Sequence, residues 1–350
     1  MSATSIGELE AQIDAAPDDD ALYAVYGDLL ARRGDPRGEL IALQLAAQAQ
    51  TGKAADKLRA LATKYLATHA AALLGPLAAD ASALTWRAGF IRRFALPPAP
   101  GRSPVPSIER LLRHPSGRFL VELGATVDDP AAAELLLRVL AQGAPGSLRD
   151  LALVARAELD IAALLAAVPR LARLSLTGLA LDLGEPGALA LPALQRLALV
   201  AATLTTACVL AVARAPWPQL ERLELRFGSH AADPATFADV RQLLARTDLP
   251  ALTHLKLRNV PFAGAIVREL VYLPLTRQLH VLDLSHGSMS PADAAVVLAN
   301  PAAFAHLREL WLPMRHLRPA DRTALAALGT HVVSDQRAVT DQTEKLLGLE

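Results

Sequence analysis

At 350 residues the chain is longer than one ordinary domain and compatible with one long solenoid plus a cap. It is 52% hydrophobic but only 4% aromatic, so its apolar content is mostly Leu, Ala and Val, a bias suited to a repetitive core with small, regular slots. A formal net charge of +0 argues against a generally electrostatic partner such as bulk nucleic acid or an acidic membrane. The charge is nevertheless uneven. Residues 1–50 carry nine acidic and three basic side chains, whereas 51–118 carry eleven basic and three acidic, which reads as two oppositely charged surfaces within one helical region. The single cysteine, Cys208, excludes an internal disulfide and points to a reducing, cytoplasmic setting. Met1 to Asp20 has neither a basic n-region nor an apolar h-region, so no signal peptide is expected. No run approaches the ~18 uncharged apolar residues of a membrane span.

In chain order, 7–16 reads as a short helix with Leu9 and Ile13 on one face, stopped by Pro17. Asp18 or Asp19 caps a second helix carrying Leu22, Tyr23, Val25, Tyr26, Leu29 and Leu30, which ends at Arg32-Arg33 and a C′ glycine, Gly34. Asp35-Pro36 opens a third helix with Leu40, Ile41, Leu43 and Leu45, and a fourth covers 53–72. The segments Leu9-Glu10-Ala11, Pro17-Asp18-Asp19-Asp20, Tyr26-Gly27-Asp28-Leu29-Leu30 and Arg33-Gly34-Asp35-Pro36-Arg37-Gly38-Glu39-Leu40 resemble the bacterial repeat-companion domain over about the first 45 residues. Leu29 departs from that family, which usually has Trp there. The resemblance implies an architecture, a helical domain preceding repeats, and no known activity.

Downstream, L-x-x-L-x-L begins at Leu148, Leu171, Leu194, Leu220, Leu252, Leu279 and Leu307. Degenerate copies precede it at Ile91-Phe94-Leu96 and Leu120-Leu123-Ala125, and a last copy is read at Leu328-His331-Val333. The steps between starts run from 21 to 32 residues, and Pro169, Pro192, Pro218 and Pro250 recur two residues before a first leucine. The second and third leucines alternate inward from a short strand. Asp129-Pro130, Asp233-Pro234 and Ser290-Pro291 each pair an N-cap with Pro at N1 and so start returning helices, whereas Asp182 to Ala190 reads as non-helical. This pattern resembles the leucine-rich-repeat superfamily over about residues 86–334. The family's ninth-position Asn or Cys is replaced here by Arg156, Leu179, Ala202, Gly228, Val260, Gly287 and Arg315, so irregular turns are expected.

The expected fold is therefore α/β: an α-helical N-terminal domain (1–85), a leucine-rich-repeat solenoid with short parallel strands on its concave face and mostly helices on its convex face (86–334), and a tail (335–350). Catalytic and metal signatures are lacking. Thr51-Gly52-Lys53 has Ala47 where a phosphate loop needs glycine, Gly287-Ser288-Met289-Ser290 is not a nucleophile elbow, and His280 and His286 form no ligand set. No enzyme activity, metal or cofactor is expected. The informative surface is the concave face, whose third, fifth and seventh repeat positions include Arg173, Arg196, Arg222, Glu224, Arg226, His254, Lys256, Arg258, Asp283, Glu309 and Trp311. These residues are the expected site for a protein partner, since Arg and Trp are enriched at binding hot spots. The alternative is nucleic-acid binding through 51–118 or the basic ladder of that face, which mixed acids and few aromatics disfavour.

Overall fold

A computed structural model of the chain describes residues 5–98, 101–184, 189–228, 234–329 and 332–334. Asp233, His331 and the tail read from Asp335 onward lie outside the described residues, as do 185–188 within the Asp182 to Ala190 stretch; its described residues are non-helical. The chain divides into two compact units, Met1–Asp128 with Leu135–Ala152, and Asp129–Glu134 with Leu153–Glu350. The fold is mixed α/β, with mostly parallel strands and many helices.

The first unit opens with four helices: α1 (Ile6–Ala15), α2 (Asp20–Arg32), α3 (Arg37–Gln48) and α4 (Gly52–Thr68). Their ends follow local chemistry. Ser5 and Glu8 form a reciprocal capping box, and Asp19 accepts the Ala21 N–H. Gly34 sits at φ 71 while its N–H reaches the Ala31 carbonyl and the Asp35 N–H reaches Leu30, which satisfies the last carbonyls of α2. The helix expected over 53–72 breaks instead at His69 and resumes as the short turn Ala70–Leu73. Gly38 explains one signature position: a Cβ there would lie 2.5 Å from the Ala31 nitrogen and 2.7 Å from the Gly27 carbonyl, so only glycine lets α3 cross α2 this closely. Val25, expected on the apolar stripe of α2, is 54% exposed because the core is closed by Tyr23, Tyr26 and Leu30.

Next come the antiparallel strands β1 (Leu84–Arg87) and β2 (Phe90–Ala95), then β3 (Glu122–Val127), parallel to β2, and β4 (Asp150–Ala155), which begins in this unit. The register Phe94↔Leu123 matches the phase of the two degenerate repeat copies. Phe90 and Phe119 join Leu9, Ile13, Tyr23, Tyr26, Leu30 and Ile41 in one core. The boundary expected at residue 85 thus falls inside the first unit, between the helices and the aromatic rings they pack on.

In the second unit the strands are β5 (Glu158–Asp160), β6 (Arg173–Asp182), β7 (Arg196–Thr203), β8 (Arg222–Arg226), β9 (His254–Arg258), β10 (Val281–Asp283), β11 (Glu309–Leu312) and β12 (Val332–Ser334). Strands β6 to β12 lie side by side in sequence order and all parallel, with β5 paired to the far half of β6. Leu174, Leu197, Leu223, Leu255, Leu282 and Leu310 face one another in register. All six are nearly fully buried, at 4% exposure or less. The repeat read from the sequence is the register of this sheet, because a one-residue slip would turn every leucine to solvent. The last copy is the exception. Val332, not His331, pairs with Leu310, so the assigned phase is one residue early.

Helices return between strands. Ser290 is the expected N-cap of Pro291–Ala299 and completes a capping box with Asp293, and Asp129 accepts the Ala132 N–H at the start of Pro130–Gly143. The helix Phe237–Leu244 is capped by Thr236 and Asp239 rather than starting at Asp233-Pro234; Pro234 instead bridges to Thr205. A reciprocal Thr-x-x-Asp box satisfies two backbone donors where an Asp-Pro start satisfies fewer. Trp217 is buried with its indole N–H donating to the Leu189 carbonyl at 3.0 Å.

Candidate functional site

Between the inward leucines, the opposite face of β6 to β11 carries the polar residues singled out in the sequence, arranged as three rows across the strands. The first row is Arg173, Arg196, Arg222, His254, Val281 and Glu309, each opposite its neighbour on the adjacent strand. The second is Ser175, Ala198, Glu224, Lys256, Asp283 and Trp311, and the third includes Thr177, Val200, Arg226 and Arg258.

The rows differ in access. Arg173, Arg196, Arg222 and Glu309 are exposed, while His254, Glu224, Lys256, Arg258 and Trp311 are half-buried. Arg226 and Asp283, expected to face a partner, are buried at 5% and 7% exposure. Asp283 is buried within polar packing toward the ends of the strands. Arg258 lies 3.4 Å from Glu224 through Nη1 and 3.6 Å from Asp283 through Nε, and its Nε also donates to the Ser285 hydroxyl at 3.3 Å. Asp283 accepts the Ser285 N–H at 2.9 Å, and Lys256 approaches Glu224 at 3.9 Å. The following turn comes over this group: His286, at φ 61, meets Arg258 Nη2 at 3.4 Å. This half of the expected site is an internal ion network, so its charges are matched to each other.

The first row is different in kind. The imidazole of His254 is held below its ordinary pKa, first by burial and then by the positive charges of Arg222, His280 and Lys256. Trp311 donates its indole N–H to Glu309 at 3.1 Å, which fixes the ring at the other end of the sheet.

No protein-family profile matches the chain, and no curated protein sequence does. Solved structures do match. A crystal structure of a Bacteroides fragilis protein, determined by the Northeast Structural Genomics Consortium, is similar at 16% identity and TM-score 0.57, covering 82% of this chain and 85% of that one. The likeness is one of fold alone.

Two features escaped the sequence reading. Asn259, at φ 58, donates its side-chain amide to the Phe227 carbonyl of the neighbouring repeat. It lies one position before the ninth, so the missing asparagine ladder has one displaced rung. Secondly, the basic 51–118 segment is internally matched: among the described residues, every one of its arginines is ion-paired. Arg87 reaches Asp20 at 2.7 Å, Arg92 reaches Asp18 at 2.8 Å and Arg118 reaches Glu10 at 3.1 Å, so three of these arginines are matched by acids of the first fifty residues.

Among the described residues no group of three or more His, Cys, Asp or Glu could hold a metal ion. No described helix is long and apolar enough to cross a membrane. A cleft of about 570 Å³ in the first unit is lined by residues including Gln44, Leu66, Trp86 and Arg87. Two of its polar side chains are engaged, Gln44 with the Gly89 N–H and Arg87 with Asp20 and the Pro17 carbonyl. Cys208 is buried, and burial pushes its thiol up to about 12. Alkylation of Cys208 at pH 8 should run about a thousandfold slower in the native protein than in denaturant. Native alkylation at the denatured rate would show that the helix Thr206–Arg214 opens freely.

Proposed function

We propose that the chain is a leucine-rich-repeat protein with an N-terminal repeat-companion domain, acting as a non-catalytic, cytoplasmic scaffold that holds a protein partner on the strand face of its repeats. The observation that carries this reading is the first row of that face: exposed arginines in register on consecutive parallel strands, over a leucine ladder that makes the platform rigid. Nucleic-acid binding through 51–118 is the weaker reading, because the arginines of that segment already have acidic partners.

The test uses side chains that can be changed without disturbing the core. The full chain would be used to capture partners from cell lysate beside two variants: Arg222→Glu/Trp311→Ala on the strand face, and Arg241→Glu on an exposed helix. A protein retained by wild type and by Arg241→Glu, but lost by the strand-face variant, is the expected result. Retention by the strand-face variant and loss by Arg241→Glu would move the site to the helices and overturn the proposal.

A further inference from the structure

Like charges directly opposite on neighbouring strands repel, so a row of them stands only where something offsets the repulsion. In the second unit, Arg196 of β7 faces Arg222 of β8, and Arg222 faces His254 of β9. Neither Arg196 nor Arg222 makes an ion pair or a side-chain hydrogen bond with a described residue. The acid within β8, Glu224, is already shared by Lys256 and Arg258.

We infer that the row formed by Arg196, Arg222 and His254 is the docking track for an acidic, extended segment of a protein partner. The inference rests on the strand-face reading above and specifies the chemistry of what binds there. From Arg196 to His254 the row crosses two strand spacings, about 10 Å. An extended peptide presents side chains to one face every ~6.6 Å, so two carboxylates span the row, and each can take two parallel hydrogen bonds from a guanidinium. The track stops at the buried Val281 and at Glu309, which would repel a longer anion. A nucleic acid fits less well. The row carries no Phe, Tyr or Trp ring on which bases could stack, and Trp311 belongs to the next row and is tied to Glu309.

The experiment measures fluorescence anisotropy of a labelled octaglutamate peptide, and of a labelled oligothymidylate of similar length, with the full chain. Wild type is compared with Arg196→Ala/Arg222→Ala and with the helix-face variant Arg241→Ala. The mutated arginines are exposed, and unchanged melting temperatures would establish that the variants fold. The expected result is peptide binding that weakens at least about tenfold in the double variant and is unchanged in Arg241→Ala. Titration of His254 followed by NMR should also move to higher pH when the peptide is bound, as a carboxylate offsets Arg222 and Lys256. Equal binding by wild type and double variant, absence of peptide binding, an unmoved His254 titration or tighter binding of the oligothymidylate would each overturn the inference. A captured partner lost on Trp311→Ala but retained by Arg196→Ala/Arg222→Ala would defeat the acidic track while leaving the strand-face scaffold standing.

Discussion

Replacing Phe90 with alanine should cost the first unit about 3–5 kcal/mol, the range for emptying an aromatic site in a packed core. Phe90 is 1% exposed, and its ring meets Phe119 edge-on at 4.8 Å between centroids, Tyr26 at 5.9 Å and Tyr23 at 6.2 Å. The Arg37 guanidinium lies 5.5 Å from its centre, which adds a cation–π contact. These rings tie α1, α2 and α3 to strand β2. Hydrogen exchange in the full chain should therefore show protection lost in α1 to α3 as well as near β2. A loss below about 1 kcal/mol, with the helices still protected, would mean that the helices hold together without the ring. For the same reason a fragment ending at residue 85, which lacks Phe90 and Phe119, is a poor tool for testing the helices alone.

The second large effect is expected at Arg258, and it is an effect on folding. Truncating Arg258 to alanine leaves the buried Asp283 without the guanidinium beside it and leaves Glu224 to Lys256 alone. Removing one partner of a buried charge group costs roughly 3 kcal/mol or more, because the remaining charge has lost its solvent and its counterion. Removing the acid as well should restore much of the loss, so Arg258→Met/Asp283→Asn should be more stable than Arg258→Ala. Chemical denaturation of the single and double variants measures this coupling. Equal stability of wild type and Arg258→Ala would show that the network is solvated and that Arg258 is available to a partner. If the loss is found, a binding scan that includes Arg226 or Arg258 would confuse unfolding with lost contact, whereas Arg196, Arg222 and Trp311 would report on binding.

Most helix ends were legible in the sequence because capping is local. Ser290 with Asp293, Asp19 and Gly34 act on backbone groups within a few residues, and the structure places all three in those roles. Thr236 was missed for a similar reason: Asp233-Pro234 offered an equally local signal, and only the completed box with Asp239 decided between them. The phase of the last strand was misread because Val332-Val333 offers two adjacent apolar residues, so alternation cannot say which one points inward.

The sequence by itself determined the strand register and the inward leucine ladder, since a side-chain period of two and a repeated spacing leave one face for the core. It also determined which residues share the opposite face. Only the tertiary structure decided which of them are accessible. Accessibility there depends on charges brought together from strands 25 to 34 residues apart, such as Arg258 with Glu224 and Asp283, and on the His286 turn that comes over them. The matching of the basic 51–118 stretch by Glu10, Asp18 and Asp20 is of the same kind. A charge count along the chain registers the two halves as opposed, but their mutual neutralisation exists only where the fold sets one beside the other.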